Sequence, residues 1–123
     1  GAKHFATIID YDMKNYLVKS EGSKIRYHEL FNPNGTNVNF MKLIDQNHIK
    51  VWTYEKGIEN MVMSCGSGSV ASAFYGYQQN KIISPIQITN PGGELLLTFN
   101  KEWTDVWLTG PATIEHECEI EIN

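Results

Sequence analysis

Residues 69–79 read SVASAFYGYQQ, with alanines and bulky side chains on nearly every face and few β-branched positions, a composition that favours a helix. A helix that is apolar all round has to be buried all round. Most of the chain on either side reads as short strands and turns, so this helix needs a sheet to cover it. No other feature narrows the choice of fold as much.

The strands follow from alternation and turn chemistry. FATIID at residues 5–10 is rich in β formers, while residues 11–31 have a mixed spacing that suits one or two short helices. Asn32, Pro33, Asn34 and Gly35 make a turn, and TNVNFMKLI at 36–44 then alternates as a strand. Asp45, Gln46 and Asn47 turn the chain into HIKVWTYE at 48–55, which sets Ile49, Val51 and Thr53 on one side and Lys50, Trp52 and Tyr54 on the other. Gly57 ends that hairpin, and residues 60–64 form a short strand leading into a glycine turn. Strands at 86–89 and 94–99 flank the turn Asn90-Pro91-Gly92-Gly93, and another covers 105–109. Residues 113–123 alternate almost strictly, with Ile114, His116, Cys118, Ile120 and Ile122 opposite Glu115, Glu117, Glu119 and Glu121, which makes Cys118 a core residue. The sum is about seven strands and one buried helix. We expect an α+β fold, a mostly antiparallel curled sheet or barrel wrapped around that central helix, with residues 1–123 as a single domain.

Composition excludes several functions. The formal net charge is -4 and there is no run of lysines and arginines, so no nucleic-acid partner is expected. No apolar run is long enough to span a bilayer and the N-terminus lacks a signal-peptide pattern, which points to a cytoplasmic protein with no membrane partner. The two cysteines show no disulfide framework and are too few for a thiolate metal site. His4, His28, His48 and His116 show no ligand spacing, so no metal is expected.

Chemistry concentrates in MSCGSGSVA at residues 63–71. Gly66, Gly68 and Ala71 formally satisfy the dinucleotide fingerprint G-x-G-x-x-A, but the helix leads into a hairpin instead of the second strand of a βαβ unit. A phosphate loop fails because no lysine follows the glycines. Two readings of Cys65 remain open. At a helix N-terminus, backbone amides near Gly66, Ser67 and Gly68 would hold a carboxylate, and the same field would favour a thiolate able to abstract a proton. Alternatively, Cys65 is a small buried residue in a tight strand-to-helix turn.

Longer motifs go further. Tyr54-Glu55-Lys56-Gly57, followed after seven residues by Cys65-Gly66-Ser67-Gly68, resembles the Y-E-R-G and C-G-T-G signature of the diaminopimelate epimerase family. In the same order, Gly1-Ala2-Lys3-His4 resembles the family's G-N-P-H, residues 36–40 contain its N-V-N-F, Asn90 to Leu95 contain its P-G-G-x-L, and Leu108 to Ala112 contain its T-G-P-A. The resemblance runs through the whole chain but corresponds to the C-terminal half of the family's usual length. It implies a cofactor-independent isomerase that interconverts LL- and meso-diaminopimelate for lysine and peptidoglycan biosynthesis. Two similar halves would each contribute one cysteine to opposite sides of the α-carbon. By resemblance, Cys65 is the C-terminal member of that pair, Glu55 contacts the amino group or tunes the thiol, and His4 assists. Asn37 holds the distal end of the substrate, Lys56 stands at the family's arginine, and Gly66 and Ser67 bind the α-carboxylate.

Three departures accompany these matches. Lys56 is not equivalent to arginine for a bidentate carboxylate contact, Ala2 replaces an asparagine, and Met61 and Met63 lie where polar residues are usual. A racemase or isomerase for another substrate is therefore an alternative, as is a non-catalytic carboxylate-binding or dimerisation domain. The implied partners are a small amino acid substrate and the N-terminal half, in the same longer chain or a separate one. A homodimer pairing two Cys65 residues is a third arrangement.

Overall fold

A computed structural model describes residues 3–110. Strand β1 (His4–Ile9) is followed by helix α1 (Asn15–Arg26) and a short 3-10 turn at Glu29–Phe31. Strands β2 (Asn37–Asp45), β3 (His48–Glu55) and β4 (Asn60–Val62) lead into helix α2 (Gly66–Gln78). Strands β5 (Ile86–Asn90), β6 (Gly93–Phe99) and β7 (Val106–Thr109) complete the order. The expected alternating strand at 113–123, with Cys118 on its core face, lies outside the described residues.

The chain is α+β, but its sheet is mixed. The strand order is β1-β2-β3-β5-β6-β7, with β4 added beside β3. Pairs β1/β2 and β3/β5 are parallel, and pairs β2/β3, β3/β4, β5/β6 and β6/β7 are antiparallel. The barrel alternative is not met among the described residues, because the order ends at β1 on one side and β7 on the other. Alternation within a strand fixes which face is apolar, but closure depends on the first and last strands pairing, and among the described residues β1 and β7 do not pair.

The β2/β3 register sorts side chains onto two faces. Val38 pairs with Tyr54 and Phe40 with Trp52, and these four join Met13 and Val18 in a cluster beneath α1. Met41 pairs with Val51 and Leu43 with Ile49 on the opposite face, where Val70 and Ala73 of α2 meet them. Ile86, Ile88, Leu95 and Leu97 of β5 and β6 belong to that same cluster. The expected sides of β3 therefore hold, and a second helix that the sequence placed only loosely occupies the other face. Lys24 and Arg26 fall in the last turn of α1, where their charge complements the helix dipole.

Helix α2 starts at Gly66, ahead of the expected residue 69, because the Gly-Ser-Gly turn is itself helical. Its buried residues run from Gly66 through Val70 and on to Ser72, Ala73 and Gly76, so burial is complete at the N-terminal end and partial towards Gln78.

Candidate active site

The site grows from the start of α2. Cys65 is the N-cap residue, with extended backbone (φ -148, ψ 104), and its Sγ accepts a hydrogen bond from the Gly68 N–H at 3.3 Å. Sulfur thus does what a serine or threonine oxygen does at most caps, satisfying the third helical amide. The first intrahelical bond runs from the Ser69 N–H to the Cys65 carbonyl at 2.9 Å. The N–H groups of Gly66 and Ser67 belong to the opening turn, which has no intrahelical acceptor to offer them. Cys65 itself is fully buried. It is disulfide-bonded in this structure, against the expectation from sequence, so any acid–base role of the sulfur belongs to the reduced chain.

Behind the cap the sheet turns polar. Alternation puts Asn37, Asn39, Met41 and Leu43 of β2 on the α2 face, beside Ile49, Val51, Thr53 and Glu55 of β3. The row is apolar from its middle to one end and polar at the end that meets Cys65. Asn39 is fully buried, accepts a hydrogen bond from the Thr53 hydroxyl at 2.7 Å, and donates through Nδ2 to the Phe5 carbonyl at 3.0 Å. His4, brought alongside by the parallel β1/β2 pairing, has Nδ1 3.1 Å from Asn39 Nδ2 and Nε2 3.0 Å from Ser67 Oγ. The Ser67 hydroxyl in turn lies 3.7 Å from Cys65 Sγ.

The remaining candidates lie where β2 begins and β3 ends. Glu55 and Asn37 are buried, and Asn37 Oδ1 accepts the Lys56 N–H at 2.7 Å. The Lys56 side chain is exposed. Glu59 anchors the turn after β3 although its φ of 57 is left-handed. Its carboxylate accepts from Arg26 Nη2 at 2.9 Å, from the Arg26 Nε–H at 3.2 Å to each of its two oxygens, from Tyr54 Oη at 3.0 Å and from the Gly57 N–H at 3.1 Å. The Arg26 hydrogen bonds, helped by the Gly57 amide, hold the Glu59 carboxyl down at about 2. The same carboxylate raises Arg26, and burial is the main cause that raises the Tyr54 phenol, with Glu59 adding to it.

On the far side, Asn90 fastens the cap. Its Oδ1 accepts the Cys65 N–H at 3.1 Å and its Nδ2 donates to Ser69 Oγ at 3.1 Å. The neighbouring Gly92 N–H bonds the Met63 carbonyl at 2.7 Å.

The structure thus brings His4, Ser67, Gly66 and Cys65 to one helix end, with Asn37 at the start of β2, Glu55 at the end of β3 and Lys56 just after it. Sequence reading missed Asn39, Thr53 and Asn90. The first two were detectable as polar residues interrupting an apolar row, whereas Asn90 was read only as part of a turn. His28 and His48 serve elsewhere: His28 Nδ1 accepts the Leu30 N–H at 3.1 Å, and His48 Nε2 lies 2.8 Å from Thr89 Oγ1. Among the described residues no group of His, Cys, Asp and Glu could hold a metal ion, and no helix is long and apolar enough to cross a membrane.

The family profile described as "Diaminopimelate epimerase" matches residues 1–115. The chain is 36% identical over 98% of its length to a diaminopimelate epimerase of Flavobacterium psychrophilum, covering 48% of that protein. It is 37% identical over 89% of its length to the Aquifex aeolicus protein of the same name, covering 40% of it. The chain therefore spans about half the length of these relatives. Among solved structures, a phenazine biosynthesis protein of the PhzF family from Enterococcus faecalis superposes with a TM-score of 0.58 at 14% identity, over 80% of this chain and 34% of that one. A Bacillus anthracis member of the PhzF family gives 0.56 at 15% identity, over 84% of this chain and 33% of that one. At such identity the likeness is one of fold.

Proposed function

This chain belongs to the diaminopimelate epimerase family, and from that premise we propose that it is the C-terminal lobe of a cofactor-independent amino acid epimerase, a single domain whose sheet packs one face on α2. Cys65, once reduced, is one acid–base thiol, and the second comes from an N-terminal half supplied by the same longer chain or a separate one. One sulfur removes the α-proton as a thiolate and the other, protonated, delivers a proton to the opposite face, so the carbon inverts and the two sulfurs exchange protonation states. The reaction takes place in the cytoplasm, interconverting LL- and meso-diaminopimelate.

The observation that carries this reading is a sulfur capping a buried helix N-terminus, within reach of the Ser67 hydroxyl and the first helical amides. The amides of Gly66 and Ser67 take the α-carboxylate, placing the α-carbon near Cys65. Glu55 faces the amino group, His4 assists through Ser67, and the Asn37 amide and Lys56 reach towards the distal end of the substrate. An exposed lysine in place of arginine, with Met63 exposed on the approach to Cys65, favours a second reading in which the distal group is not a carboxylate and the substrate is another amino acid.

The test is deuterium incorporation from heavy water at the α-carbon, read by mass spectrometry under reducing conditions. The chain is offered diaminopimelate and a panel of amino acids, alone and with the N-terminal half of a relative. Incorporation that Cys65→Ser abolishes is expected, and the labelled compound names the substrate. If no compound exchanges in either setting, the catalytic reading fails and a carboxylate-binding domain is left.

A further inference from the structure

The hydrogen-bond bookkeeping around Asn39 settles the direction of a proton chain. The Phe5 carbonyl can only accept, so the Asn39 atom 3.0 Å from it is the NH2 group. A flipped amide would set oxygen against oxygen there and give up the Thr53 hydroxyl that donates to Oδ1 at 2.7 Å. With the amide fixed, its second N–H points at His4 Nδ1, 3.1 Å away, and that nitrogen must accept. A neutral imidazole then carries its proton on Nε2, 3.0 Å from Ser67 Oγ. Ser67 receives that hydrogen bond, and its own hydroxyl proton is left to donate, with Cys65 Sγ 3.7 Å away.

We propose that Asn39 is a positioning residue that locks His4 in its Nε2–H tautomer and thereby aims the Ser67 hydroxyl proton at Cys65 Sγ. Asn39 never touches the sulfur. It acts from the sheet, through two side chains that the fold brings from 63 residues apart to one helix terminus. Gly68 is part of the same device, since a Cβ there would lie within 2.3 Å of Asn39 Oδ1. The second glycine of the Cys-Gly-Ser-Gly motif makes room for the locking amide. A hydroxyl donated to sulfur stabilises the thiolate over the thiol, the form that removes a proton. That consequence rests on the acid–base reading of Cys65, whereas the tautomer does not.

The test uses the nitrogen-labelled chain under reducing conditions, above the titration range of imidazole, with His4→Gln to assign the ring resonances. Two-bond proton–nitrogen spectra are expected to show His4 protonated at Nε2 and bare at Nδ1. Asn39→Asp, which turns the donor into an acceptor, is expected to move the proton to Nδ1, so that Ser67 donates to the ring instead of the sulfur. Both Asn39→Asp and Ser67→Ala should then raise by about 1 the pH at which Cys65 alkylation reaches half its maximal rate, the loss of one hydrogen bond to a charged group. An Nδ1–H tautomer in the unmodified chain overturns the proposal even if the variants fail to fold. An alkylation midpoint unmoved by Ser67→Ala overturns it as well. Neither measurement uses substrate, so the outcome stands apart from the deuterium assay.

Discussion

Replacing Gly68 with alanine reverses the effect that helix propensity alone would give. Gly68 sits in the first turn of α2, where alanine is ordinarily worth up to about 1 kcal/mol. The added Cβ, however, would lie 2.3 Å from Asn39 Oδ1 and 3.1 Å from both Cys65 Sγ and Thr53 Oγ1. Relieving the first contact requires Asn39 to retreat by about 1 Å, and its side chain is fully buried, so retreat stretches or breaks the 2.7 Å bond from Thr53. A weakened buried hydrogen bond costs about 1–3 kcal/mol and overpacking a further 1–3. Set against the propensity gain, the net loss is about 1–5 kcal/mol. Urea unfolding followed by tryptophan fluorescence in reducing buffer reads it as a lower midpoint at unchanged slope. Adding Asn39→Ala should restore part of the loss, because the two sites are in contact and their effects do not add. A Gly68→Ala chain as stable as its parent would show that the close approach of Asn39 is not what requires glycine there.

Two further expectations concern the scaffold. Glu59 is held from its usual 4.5 down to about 2, so its contribution is complete above 4.5 and disappears as pH falls towards 2. With a third of the side chain open to solvent, screening leaves about 1–2 kcal/mol. Glu59→Gln should remove that amount at pH 7 and flatten the acid limb of the stability profile; an unchanged acid limb would discount the Arg26 pair. Gly22→Ala would set a Cβ 2.6 Å from Tyr54 Cβ, an atom too near the backbone to yield, so α1 must lift off β3. A loss of about 1–3 kcal/mol in thermal or urea unfolding is expected, and a gain would contradict the packing.

Which parts of this could be read from the chain depends on distance along it. Alternation in residues 48–55 assigned Ile49 and Val51 to one face and Trp52 and Tyr54 to the other, and both faces are buried as that pattern requires. The strand-to-helix turn at Cys65 was legible for the same local reason. What alternation cannot convey is which strand lies beside which. The parallel pairing of β1 with β2, and with it the meeting of His4 and Ser67, joins residues 63 apart. The Arg26–Glu59 clamp was hidden for a further reason: it needs a left-handed backbone at a glutamate, which no propensity suggests. The resemblance named Asn37 as a contact, yet the structure shows its oxygen engaged by the Lys56 amide, a detail of register that motif matching does not contain.

The polarity boundary within the β2/β3 face has a consequence for the depth of the site. Were the face apolar to its end, the opening amides of α2 and the caps around them would be buried against hydrocarbon without partners, at a cost of a few kcal/mol each. Were it polar throughout, Val70 and Ala73 would have nothing apolar to meet, and the cluster that seats the helix would be lost. The change from Met41 and Val51 to Asn39 and Thr53, one step along each strand's face, lets one helix be anchored in the core and still present a hydrogen-bonding end. Moving that step deeper would shorten the apolar row that seats the helix, and moving it outward would leave His4 and Ser67 without the amide that orders them. The position of Asn39 therefore sets both where the core stops and which way the proton chain points.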